Sequence, residues 1–136
     1  MSDPLIKRLR SIVGGPNVLD GFVDRQTYEY DAFSERCLPR AVVFVRSTEE
    51  VSAVTRLLHR EAVPLVARGY GTNVAGGTLA LDGAVALQMG RMNNVLEIDI
   101  PNQCVVVQAG IFNGDVSAAL APHGFYYAPD PSSVTA

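Results

Sequence analysis

Along this chain the apolar residues change their spacing several times, and each change marks an element. Leu5, Ile6, Leu9, Ile12 and Val13 recur at helical spacing. Ser2-Asp3-Pro4 supplies a capping residue and a proline at the first helical position, and Gly14-Gly15-Pro16 ends the helix. Residues 17–39 keep no sustained period beyond a short turn of helix near residues 25–28. Residues 41–45 form an unbroken apolar run, as expected for a strand covered on both faces. Ser47-Thr48-Glu49-Glu50 reads as a capping box, with Ser47 as cap and Glu50 reaching back. Val51, Val54, Leu57, Leu58 and Ala62 then make one apolar stripe. Glu49 and Glu50 in its first turn, with His59 and Arg60 in its last, suit the helix dipole. Residues 64–68 read as the next strand, so strand, helix and strand predict a βαβ unit with a parallel pair.

Beyond the following loop the pattern changes. Residues 84–88, 95–100 and 104–108 are predicted strands, with Pro101-Asn102-Gln103 as a hairpin turn. Leu96, Ile98 and Ile100 alternate with Glu97 and Asp99, which predicts a half-exposed strand. A short helix starting at Asn113 or Asp115 carries Val116, Ala119 and Leu120, and Gly124 closes it. The fold class is therefore α+β: a helix and irregular lead-in over 1–38, then a domain over 39–136. That domain opens with a βαβ subdomain and passes, near residue 80, into the start of an antiparallel-strand subdomain.

The chemistry concentrates between the two halves. Residues 64–78 (PLVARGYGTNVAGGT) run from a short apolar strand into a loop with four glycines, one arginine and no Asp, Glu or Lys. Glycine reaches positive φ and admits close approach, so such a loop can turn its N–H groups around an anion. The dinucleotide fingerprint G-x-G-x-x-G fails, because Val74 stands where the third glycine belongs and no helix follows. The P-loop pattern fits from Gly71 to Thr78 except that Gly77 replaces the lysine. A nucleoside triphosphatase is thereby disfavoured, and a diphosphate held mainly by backbone amides remains.

Composition narrows the partners. The 136 residues are 48% hydrophobic and 18% charged, with a net charge of −3. An acidic chain with scattered Lys and Arg argues against a nucleic-acid partner. Lys7, Arg8 and Arg10 read as a solvated helix face. Cys37 and Cys104 lie far apart without a CxxC or a flanking histidine, so no zinc site is expected. Neither a signal peptide nor a membrane span is evident, and the expected location is cytoplasmic.

Five stretches then carry a resemblance: residues 41–54 (AVVFVRSTEEVSAV), 64–77 (PLVARGYGTNVAGG), 91–99 (RMNNVLEID), 106–110 (VVQAG) and 121–133 (APHGFYYAPDPSS). In this order they resemble the FAD-linked oxidases with a vanillyl-alcohol-oxidase (PCMH) type FAD-binding domain. Within these the chain is most similar to the glycolate oxidase flavoprotein subunit and its D-lactate and D-2-hydroxyglutarate dehydrogenase relatives. The resemblance implies that Arg68, Gly69, Tyr70, Gly71, Thr72 and Asn73, with Gly76 and Gly77, wrap the FAD pyrophosphate. It also implies that Pro129, Asp130, Ser132 and Ser133 lie along the flavin. Some family members tether the flavin through a histidine in this loop. Thr72 stands at the matching place, with Tyr70 nearby, so non-covalent FAD is expected. His59 and His123 read as solvated.

The activity implied is oxidation of a 2-hydroxy acid of the glycolate or D-lactate type to a 2-oxo acid. A sugar or an ether-lipid precursor stays open as substrate. Family members continue with a second glycine-rich flavin loop and a substrate domain, which hold the general base and the carboxylate clamp. Neither group is found in these 136 residues. The expectation is a truncated N-terminal part of the flavin domain, inactive alone, with other oxidase subunits or a complementing chain as partners. The alternative is a stand-alone or split-gene flavin-nucleotide binding module.

Overall fold

The structure, a computed structural model, describes residues 3–129. It divides into two compact units, Met1–Arg91 and Met92–Ala136.

In the first unit, helix α1 (Pro4–Val13) starts where the sequence places it. Asp3 Oδ1 accepts the Leu5 N–H at 2.9 Å, and Asp3 Oδ2 is held by Arg40 Nη2 at 2.8 Å. Gly14, at φ 89°, ends the helix. Strand β1 (Val18–Leu19) and helix α2 (Phe22–Gln26) follow, then β2 (Ala41–Phe44), α3 (Thr48–Arg60), β3 (Leu65–Arg68) and β4 (Val85–Gln88). Ser47 Oγ accepts the Glu50 N–H at 3.3 Å, as a capping box requires. The return arm lands one residue early: Glu50 Oε2 accepts the Arg46 N–H at 2.8 Å, while Arg46 Nη2 holds Glu50 Oε1 at 2.9 Å.

The sheet order is β1-β2-β4-β3. Strand β1 is antiparallel to β2, and β4 is parallel to both β2 and β3. This corrects the expected parallel pair, because β2 and β3 are both parallel but β4 lies between them. All four β4 residues are buried, whereas Leu65 and Ala67 of the edge strand β3 are exposed. A residue run such as Val85-Ala86-Leu87 is what a strand with neighbours on both sides and covered faces needs. Strand β4 belongs to the parallel sheet, and the first unit runs through it to Arg91. Helix α1 packs on α3, β1 and β2, and Leu9, Val13, Val42, Val43, Val54 and Leu58 are almost fully buried.

The second unit pairs β5 (Val95–Asp99) with β6 (Cys104–Val107) antiparallel, followed by α4 (Asn113–Leu120). Gln103 takes the positive φ (53°) of the hairpin turn. A bulge between Val95 and Glu97 puts one extra residue into β5. The alternation expected from Leu96 is lost there, and Leu96 is 61% exposed. Gly124, at φ 76°, stops the turn after α4, as its sequence position predicts.

The end of α3 carries a left-handed residue that is not glycine. The Val63 N–H returns to Leu58 O at 3.0 Å and the Ala62 N–H to His59 O at 3.1 Å, with Ala62 at φ 51°. A Cβ in that region is disfavoured, and glycine is the usual occupant of this cap. Ala62→Gly is therefore expected to stabilise the protein by about 1 kcal/mol in urea titration.

Candidate functional site

The glycine loop leaves the sheet at the C-terminal end of β3, the end at which parallel α/β sheets hold ligands. Its first residue, Arg68, turns inward and is 5% exposed. Arg68 Nη2 donates to Tyr30 O at 2.8 Å and Nη1 reaches Thr78 Oγ1 at 3.4 Å. The guanidinium also lies 5.7 Å from the centre of the Tyr28 ring. Tyr28 meets Phe44 edge-on at 6.0 Å, and Arg91 covers Phe44 at 4.5 Å. Two cation–π contacts and one aromatic pair thus form a ladder from the end of the unit to the loop. Arg91 Nη1 also donates to Asn17 Oδ1.

Asp31, 8% exposed, meets the same Thr78 hydroxyl. Its Oδ1 accepts the Phe33 N–H at 2.7 Å and its Oδ2 accepts the Thr78 hydroxyl at 3.1 Å. Burial works to raise the Asp31 carboxyl. The hydrogen bonds from Phe33, Thr78 and Asn73 outweigh it and hold the group below the usual carboxylate range. Burial draws the Arg68 guanidinium below its ordinary value, opposed by the charge of Asp31. Arginine starts so high that it stays cationic at neutral pH. The pair leaves the loop without net negative charge.

The rest of the loop is wired to the same point. Asn73 Nδ2 donates to Thr78 Oγ1 at 2.9 Å, and Asn73 Oδ1 accepts the Gly77 N–H at 3.0 Å. Asn73 O accepts the Ala32 N–H at 3.1 Å. Gly71 sits at φ 73°, and a Cβ there would lie 2.5 Å from Arg68 Cζ. Gly76, also at φ 73°, faces Phe33 and Leu79 at 3.3 Å from such a Cβ. Tyr70 is 39% exposed, and its hydroxyl lies 3.4 Å from Gly90 O.

The predicted residues therefore divide into two groups. Arg68, Asn73 and Gly77 are engaged in hydrogen bonds within the protein. The N–H groups of Gly69, Gly71 and Thr72 have no acceptor among the described residues, and Thr72 is exposed. Donors of this kind on a loop with no acidic side chain of its own fit a diphosphate. Pro129 is exposed at the end of the described residues, and Asp130, Ser132 and Ser133 lie outside them. Asp31, Thr78, Tyr28 and Tyr30 are absent from the sequence-based site. Thr78 has a hydroxyl in a glycine loop as its only signal, and residues 28–31 have no periodicity to mark them. His59 and His123 are exposed, as expected. Among the described residues there is no metal-binding cluster and no helix long and apolar enough to cross a membrane.

Two outcomes follow from this wiring. Gly71→Ala combines an unfavourable φ with a collision on Arg68, and should destabilise the protein by about 1–3 kcal/mol in urea titration. Asp3 is also lowered, first by its hydrogen bond to Arg40. A carboxyl whose folded value is depressed stabilises the fold when ionised, and that contribution is complete above the unfolded value. Urea midpoints should therefore fall as pH drops below about 4, through the depressed folded values of Asp3 and Asp31. The decline should be shallower in an Asp31→Asn variant.

The FAD binding domain family matches residues 39–136. The glycolate oxidase subunit GlcD of Bacillus subtilis (strain 168) is 37% identical over 129 residues, covering 94% of this chain and 27% of that protein. The probable mitochondrial D-lactate dehydrogenase of Danio rerio is 31% identical over 130 residues, covering 95% of this chain and 26% of that protein. In fold, the chain superposes on alkyldihydroxyacetonephosphate synthase with a TM-score of 0.87 at 23% identity, covering 98% of this chain and 27% of that one. The chain thus spans about a quarter of the length of the relatives it matches. An acid-free glycine loop at the end of a parallel strand, in a chain so matched, places this protein in the FAD binding domain family of the PCMH type, with FAD as its cofactor.

Proposed function

We propose that this chain supplies the diphosphate-holding loop of a flavin-dependent oxidoreductase that converts a 2-hydroxy acid to a 2-oxo acid. The observation that carries the reading is the set of amides at Gly69, Gly71 and Thr72 with no acceptor among the described residues, held on a loop whose one charged side chain, Arg68, is buried and hydrogen-bonded within the protein. In this reading those amides, with Tyr70 and Gly76 beside them, bind the pyrophosphate. Arg68, Asn73 and Gly77 give the loop its shape, and Pro129, Asp130, Ser132 and Ser133 lie along the flavin. Each amide bond to a phosphate oxygen contributes about 1.5–3 kcal/mol.

The substrate class rests on the names of the relatives, since glycolate and D-lactate are both 2-hydroxy acids. The bound flavin would supply the hydride acceptor for such a substrate, while the protein binds and orients it. The word subunit in the name of the bacterial relative supports further chains as partners. Thr72, which has no imidazole to take the place of a linking histidine, supports non-covalent attachment.

Two measurements test the reading. FAD added to millimolar concentration is expected to shift the amide resonances of Gly69, Gly71 and Thr72 before those of β2. A spectrum that does not move overturns the assignment. Acid precipitation of the flavin-loaded protein should leave all the flavin in the supernatant, and flavin retained on the denatured chain would overturn non-covalent binding.

A further inference from the structure

The family match begins at residue 39, yet the loop is held from a segment that precedes it. The order of hydrogen bonds there has a direction. A threonine hydroxyl offers one proton and two lone pairs. Thr78 Oγ1 accepts from Arg68 Nη1 and Asn73 Nδ2, so its own proton goes to Asp31 Oδ2. With Thr78 an acceptor, the Asn73 amide is fixed with its nitrogen toward Thr78 and its oxygen toward the Gly77 N–H. An ionised Asp31 at the start thus orients a hydroxyl, then an amide, then a backbone N–H on the far side of the loop. Thr78 joins the same carboxylate to Arg68, whose guanidinium packs against the backbone of Gly71.

We infer that Asp31, acting through Thr78 and Asn73, is a positioning residue for the flavin loop, and that residues 28–33 are a working part of the flavin site. The inference rests on the proposed diphosphate reading of the loop. A loop ordered before the ligand arrives binds it more tightly, because the ordering entropy has already been lost in folding. Asparagine cannot replace Asp31 in this role. Asp31 accepts through both oxygens, from Phe33 and from Thr78, and an amide has one oxygen. Serine can replace Thr78, and valine cannot.

The test compares the 136-residue chain with Asp31→Asn, Thr78→Val, Thr78→Ser and the Asp31→Asn/Thr78→Val pair. Two readouts are used: water exchange of the Gly77 amide without ligand, and FAD affinity from amide shifts. Asp31→Asn and Thr78→Val are each expected to speed Gly77 exchange and to weaken FAD binding about tenfold. Thr78→Ser should stay within about twofold of the parent on both. The double variant should be no worse than either single change, since both cut one chain of bonds. Val43 and Ala86 amides should keep their exchange rates throughout, which separates loop disorder from general unfolding. Parent-like FAD affinity in Asp31→Asn overturns the inference, as does tenfold weakening in Thr78→Ser. A parent chain that binds no FAD while Gly77 exchange still differs among the variants overturns the flavin reading and not the wiring.

Discussion

The interaction on which the site depends is the burial of Arg68, held by Tyr30 O and Thr78 and opposed in charge by Asp31. A buried guanidinium is tolerable only if its donors are met and its charge is opposed. Here one carbonyl, one hydroxyl, one carboxylate and one aromatic face do this together. The partners come from two remote stretches of sequence, residues 28–31 and 68–78. Satisfying Arg68 therefore closes the irregular lead-in onto the glycine loop. Among the described residues the amides of Gly69, Gly71 and Thr72 take no part in this pairing.

Sheet order sets where that closure happens. Strand β4 takes an interior place because Val85, Ala86 and Leu87 are apolar and all four of its residues are buried, and β3 takes the edge with Leu65 and Ala67 exposed. The loop therefore starts at an edge, where the lead-in segment can reach it without crossing the sheet. β4 contributes at its own end: the Met89 N–H returns to Arg68 O at 2.9 Å, and Gln88 Oε1 accepts the Gly90 N–H at 2.9 Å. Gly71 shows how closely this end is packed, since its missing Cβ is the space that Arg68 fills.

Much of this was legible in the residues, because much of it is local. The caps at Asp3 and Ser47, the α3 stripe, the apolar run of β2 and the glycine loop all follow from spacing within one or two turns of chain. The order of five short stretches carried the family, and the absence of Lys and of a following helix removed two other phosphate motifs. Strand β1 and the bulge in β5 were not legible. A two-residue strand has no period to read, and a bulge depends on the partner strand.

Local spacing settles most of the helices and strands, the fitness of the loop for a diphosphate, and the kinship with flavin domains. Packing alone sets β4 between β2 and β3 and brings Asp31 and Thr78 to the loop. The physical reason is the same for both. Strand neighbours and side-chain hydrogen bonds between residues 47 positions apart are chosen by which groups are satisfied when the chain closes up, and no local period records that choice.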